Sequence, residues 1–158
     1  MNNTPAGGIV PYVKTNTGIY FLLGNERSSK KWSGFVGGSE LSDGNIINTA
    51  VREFNEETAK IFEKDLEIIR HKLISGQCFL LSESNRNRLI YIWFVEFPFE
   101  TINSNVENKF LENVNLMNDS HYKEKLSIKW FSIYDIRNNS NRILYKLRKN
   151  ILDNYKKL

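Results

Sequence analysis

The 158 residues are predicted to form an α/β protein, a mixed β-sheet covered by helices on both sides. Three observations predict it. Short β-branched and aromatic runs bounded by turn residues alternate with stretches of helical periodicity. One run, Leu89–Phe97, is apolar on both faces, with Tyr91, Trp93, Val95 and Phe97 on one and Ile92 and Phe94 on the other, as in a central strand packed between two layers. An amphipathic pattern near the end places Leu144, Leu147, Ile151 and Leu152 on one helical face.

In chain order, Gly7–Lys14 reads as a strand, residues 15–18 (Thr-Asn-Thr-Gly) as a turn and Ile19–Leu23 as its hairpin partner. Phe35–Val36 is a short extended piece before Gly37 and Gly38. Asn45–Phe62 has helical spacing, with Ile47, Ala50, Val51, Phe54, Thr58 and Ile61 on one side and Asp43 or Asn45 as its cap. Ile68–Ile74, Gln77–Leu81 and Leu89–Phe97 are expected as strands. Thr101–Tyr122 reads as an insertion with a short helix, Val106–Met117. Leu126–Phe131 is the last strand and Ile143–Tyr155 the closing helix.

The length suits one domain, residues 1–158, which buries about 70% of its unfolded surface and so needs no disulfide. One cysteine, Cys78, excludes an internal disulfide and reads as a small buried hydrophobe. No signal peptide and no membrane span are apparent, so a cytoplasmic protein is expected. The net charge of +4, part of it in residues 142–157, fits either a solvated helix face or attraction of a polyanion.

The chemistry concentrates in residues 37–58. A helix turns about 100° per residue, so Glu56 and Glu57 lie at about −60° and +40° from Glu53, on one arc beside the apolar face. Like charges so placed repel. A hard divalent cation such as Mg²⁺ reverses that sign and leaves positions for phosphate oxygens. A Gly-Gly pair ahead of the helix lets backbone approach a ligand. Ordinary ion pairs of Glu56 with Arg52 and Lys60 are the alternative reading.

This stretch resembles the Nudix box: a glycine, five residues, Glu, seven residues, Arg-Glu, an aliphatic, any residue, Glu-Glu, any residue, Gly and an aliphatic. Counted from Gly38, Arg52-Glu53, Phe54 and Glu56-Glu57 fall in register. Residues 6–10, 32–38 and 129–136 resemble the family's first strand, pre-box segment and last strand. The resemblance implies the Nudix α/β/α sandwich and a Mg²⁺-dependent hydrolase (Mn²⁺ substituting) that cleaves a diphosphate linkage with activated water.

By that resemblance Glu53, Glu56, Glu57 and the backbone of Gly38 would hold metal, and Arg52 would orient the carboxylates. The base would be a box glutamate or an acid from a later loop, for which Glu124 is the candidate. Surface pairing to Lys123 or Lys125 is the rival reading of Glu124, and His71 and His121 stand behind it. Lys14, Arg27, Lys30 and Lys31 would lie near the phosphates, together with Gly37 and Glu40. Trp32, Tyr20 and Phe79 are candidates to stack a base or to fill the core.

The chain departs from the box at Gly44, where the first Glu belongs, and at Ala59 and Lys60, where Gly and an aliphatic belong. Glu40 or Asp43 is the expected substitute for the missing Glu. Small nucleotide or inositol polyphosphates are the expected substrates. Capped RNA, and a binding protein without catalysis, are the alternatives. The oligomeric state stays open, a homodimer being compatible.

Overall fold

A computed structural model describes residues 4–158. Seven strands form one mixed sheet: β1 (Ala6–Thr15), β2 (Gly18–Glu26), β3 (Trp32–Ser33), β4 (Phe35–Gly38), β5 (Phe79–Asn85), β6 (Arg88–Glu96) and β7 (Lys125–Ser132). The order is β3-β2-β1-β6-β5, with β7 on β2 and β4 on β1. β1 runs parallel to β6 and antiparallel to β2 and β4. Its first half pairs with β4, Ala6 opposite Gly38, and its second half with β2, Tyr12 opposite Phe21. The starts of β1 and β7 and the ends of β2 and β4 therefore meet at one edge of the fold.

Alternation along β1 and β6 divides the core into two layers. Ile9, Val13, Trp93, Val95 and Phe97 face α1 (Ile46–Glu57), α2 (Leu66–Ser75) and α3 (Val106–Leu116). Val10, Tyr12, Ile92 and Phe94 face α4 (Ile133–Asn138) and α5 (Tyr145–Asn154). The division of Leu89–Phe97 between two layers is as the alternation predicts.

Phe54, fully buried, seats α1 with ring centroids 5.6 Å from Phe35, 5.4 Å from Phe62 and 6.0 Å from Phe97. An aromatic at this box position suits a socket of three other aromatics. Asn45 is the cap, its side chain accepting from the Asn48 amide at 2.8 Å. Among the described residues no helix is long and apolar enough to cross a membrane.

Three expectations are corrected. Ile68–Ile74 is helix and not strand: Ile69 and Leu73, one turn apart, are buried, while Ile68 and Ile74 point to solvent. The first helix stops at Glu57 and not Phe62, because Ala59 and Lys60 adopt positive φ (53° and 61°), which ends helical propagation. The closing helix also begins at Tyr145, since Ile143 makes a parallel bridge with Trp32.

Candidate metal and phosphate site

The site grows from the approach of α1 to β4. Glu53 lies over Gly37 so closely that a Cβ there would stand 2.1 Å from the glutamate's carboxyl carbon. Only glycine admits that carboxylate to the sheet edge.

Asp43 ends the short turn Leu41–Asp43 with its side chain buried, and its carboxylate accepts a two-point fork from Arg52, 2.8 Å from Nε and 3.0 Å from Nη2. It also accepts from Thr49 Oγ1 at 2.8 Å and from the Glu40 amide at 2.9 Å. The guanidinium reaches onward to the Gly38 carbonyl (2.9 Å), Glu53 (3.0 Å) and Glu56 (3.3 Å). Charge-assisted bonds of this kind are short and strong. The hydrogen bond from Arg52 holds the Asp43 carboxyl down to about 2 against the desolvation of its site. Asp43 in turn raises the Arg52 pKa.

The box departure at residue 44 acquires a physical account here. Gly44 has φ +79° and ψ −36°, a conformation that L side chains rarely adopt, directly after the carboxylate that grips Arg52. Asp43 makes the contacts and Gly44 makes the turn. Glu40, the other candidate substitute, has its side chain 56% exposed and lies 3.7 Å from Arg52.

The other end of the acidic stripe is unbalanced. Oxygens of Glu53, Glu57 and Glu124 lie within 4.8 Å of one another. Burial raises the Glu53 pKa, partly opposed by Arg52, and burial raises that of Glu57 further, partly opposed by Lys125. Glu57 Oε2 is buried with no hydrogen-bond partner, a costly arrangement for a carboxylate. Three converging carboxylates, one of which has an oxygen without a partner, are a donor set that Mg²⁺ or Mn²⁺ prefers. The residues present therefore fit such an ion. Glu56 lies outside this trio and takes a bond from Arg52.

Lys125 was not anticipated. Its ammonium is buried, donates to Ser33 Oγ and to the Gly34 carbonyl (3.1 Å), and lies 4.0 Å from Glu57 and 3.8 Å from Glu26. Nothing in the sequence distinguishes it from Lys123 two residues before. Arg88 was also missed: it donates to the Thr4 carbonyl at 2.7 Å, and a Cβ on Gly38 would stand 2.5 Å from its Nη2.

A cleft of about 600 Å³ opens over the cluster, lined by Arg27, Ser28, Glu57, Lys123, Glu124 and Lys125 among others. A second, of about 540 Å³, continues past the shared residues Glu26 and Val36 to Lys31, Tyr145 and Lys146. Arg27 borders the first cleft and Lys31 the second.

Lys14 does not. It faces Ile19 beside the β1–β2 turn, eight residues along β1 from Ala6 at the site edge, roughly 25 Å at about 3.3 Å per residue. Lys14 lines neither cleft. Trp32 and Phe79 pack in the core, 4.9 Å from Phe131 and 6.3 Å from Phe94 respectively, and Tyr20 joins the other layer. His71 lies exposed on α2. His121 bonds Asp119 at 2.8 Å, and that carboxylate raises its pKa.

No protein-family model matches the chain, and no curated protein matches it significantly. Solved structures do. Ap4A hydrolase of C. elegans, as a binary complex, aligns with a TM-score of 0.56 at 17% identity over 98% of this chain and 99% of that one. A NUDIX-family hydrolase from Clostridium perfringens gives 0.52 at 15% identity over 95% and 94%. The NUDIX domain of Shewanella oneidensis NrtR, cocrystallised with ADP ribose, gives 0.56 at 8% identity over 99% and 89%. The chain has the Nudix fold, an α/β/α sandwich around a mixed sheet.

Proposed function

We propose that the chain is a single-domain, divalent-metal-dependent Nudix pyrophosphohydrolase cleaving a diphosphate linkage in a nucleotide or inositol polyphosphate. The observation that carries this reading is the convergence of Glu53, Glu57 and Glu124, whose oxygens lie within 4.8 Å of one another while buried Glu57 keeps one oxygen without a partner. Glu53, Glu57 and Glu124 would hold the ion, with Glu56 and the Gly38 backbone beside them. Bound Mg²⁺ or Mn²⁺ would supply neutralisation of the diphosphate and acidification of a water.

Arg52 fixes the rotamers of Glu53 and Glu56 and ties them to the Gly38 loop. Glu124, the exposed member of the trio, is the group assigned to accept the proton of the attacking water. Water attacks one phosphorus and the other phosphate leaves with the bonding pair, without a covalent enzyme intermediate. Lys31 and Arg88 supply positive charge at the margins. The paired clefts suit an extended substrate, and the neighbours named for Ap4A and bound to ADP ribose favour a nucleotide. The Asp43–Arg52 fork supports an intact site despite the glycine at residue 44, since a carboxylate of the same loop grips the box arginine.

The test is a substrate panel: ATP, diadenosine polyphosphates, nucleotide sugars, a diphosphoinositol phosphate and capped RNA. Each is run with and without Mg²⁺ or Mn²⁺, beside Glu57→Gln. Metal-dependent release of phosphate or nucleoside monophosphate, lost in the variant, is expected on a nucleotide or inositol substrate. Turnover of capped RNA alone would move the assignment to decapping. Silence together with failure of the unaltered chain to bind Mn²⁺ would sink the proposal.

A further inference from the structure

Glu124 stands on an exposed loop, yet its carboxylate meets two carboxylates rooted in α1. What holds it there is Arg27, in the turn between β2 and β3. The Arg27 amide donates to the Glu124 carbonyl at 3.0 Å, and its Nε donates to the Lys123 carbonyl at 2.7 Å. One residue thus grips two consecutive peptide units.

The turn that carries Arg27 is itself braced. Glu26 N–H bonds the Lys31 carbonyl and Lys30 N–H the Glu26 carbonyl, each at 2.8 Å. Asn25 Nδ2 donates to the Lys30 carbonyl at 2.9 Å, and Ser29 Oγ to Glu26 at 3.0 Å. On the other side of Glu124, the buried Lys125 ammonium is anchored to Ser33 and Gly34, the strand that leaves the same turn. Glu124 is the one residue between these two fastenings.

We infer that Arg27 is a positioning residue that acts through Glu124, holding its carboxylate in the acidic trio. This rests on the metal reading of the trio given above. Its Nε is already committed to a backbone carbonyl, and that bond fixes the plane of the guanidinium. Orienting contacts behind a metal ligand are worth about 10–100-fold in metal affinity.

The experiment is a double-mutant cycle on the full chain with Mn²⁺ alone as probe, its affinity read by electron paramagnetic resonance. Arg27→Gln is expected to weaken Mn²⁺ by about tenfold in the unaltered chain and by less than about twofold in a Glu124→Gln background, because a residue acting through another is non-additive with it. Equal weakening in both backgrounds, or no weakening at all, would overturn the inference. A second readout needs no metal. Arg27→Gln should accelerate amide exchange across residues 119–125 while leaving α1 unchanged, and unchanged exchange in that loop also overturns it. If the unaltered chain binds no Mn²⁺, the metal reading of the trio fails, and with it the role assigned to Arg27. Accelerated exchange would then preserve only the mechanical clamp.

Discussion

At the Arg52 end of the acidic stripe each carboxylate has a partner: Asp43 takes the fork, Glu53 and Glu56 take Nη1, and Thr49 and the Glu40 amide fill Asp43's remaining acceptor positions. At the Glu57 end, one turn further along the same helix, one carboxylate oxygen is buried with no partner, and Lys125 lies 4.0 Å from the other. Both ends are acidic and largely shielded from water. The matched end can give up nothing without leaving a charge exposed to low dielectric, so it behaves as framework. The unmatched end keeps a buried carboxylate oxygen without a partner, and under the proposed function it is the end that would admit a cation.

The contrast is broken most severely at Glu57. Glu57→Gln is expected to lower metal-dependent turnover by at least about 10²–10³-fold, the scale of removing one electrostatic stabiliser at a reacting centre. The same variant should make the metal-free protein more stable at pH 8, by about 1–2 kcal/mol, since a strained buried charge disappears. Urea unfolding with and without Mn²⁺ reads both changes, and an apo-protein destabilised by the substitution would show that the oxygen is not strained.

Asp43→Asn attacks the matched end. It should cost about 2 kcal/mol at pH 7, allowing for the partial exposure of Arg52. The folded-state pKa of Asp43, about 2, lies below its unfolded value. Its contribution is therefore complete above about pH 4 and is lost as pH falls toward 2. The acid limb of the stability profile should accordingly be shallower in the variant, and an unchanged limb would mean that another carboxylate governs it.

Gly44→Glu places the glutamate of the Nudix box at residue 44 and separates sequence position from spatial role. With φ at +79° it should destabilise the fold by about 1–3 kcal/mol and bring no gain in Mn²⁺ affinity. Tighter binding would show that residue 44 can still serve. The smallest effect is expected at Ala59. Ala59→Gly relieves a positive φ but removes a fully buried methyl group and adds chain entropy, terms of about 1 kcal/mol each that oppose one another. Thermal denaturation should show a net change within about 1 kcal/mol.

Much of this was legible in the residues. The 100° rotation that brings Glu53 and Glu57 together and the two-faced alternation of Leu89–Phe97 follow from local geometry. By contrast Glu56, on the same arc, takes a bond from Arg52, and Glu124 completes the cluster from a distant loop. The α2 helix was not legible, because Ile68 and Ile74 place apolar side chains on its solvent face and blur the period into an apolar run. Lys14 was misplaced for another reason: a strand's residues are adjacent in sequence, but only pairing decides which end meets α1. Lys125 and Arg27 owe their roles to contacts across about a hundred residues, Arg27 with Lys123 and Lys125 with Ser33. No local pattern encodes such contacts.

The pairing that builds the trio also orders events in time. β1 waits for β6, with Ala6 opposite Ile90, and β2 waits for β7, with Tyr20 opposite Ser132. A nascent chain released only through residue 118 would already possess the helix with Glu53 and Glu57, yet lack Glu124 and the strand that anchors it. Such separations make for slow, late closure of the sheet. The complete trio is thus a product of folding, available only after the last strand docks, and an ion that needs all three carboxylates cannot template the steps before it.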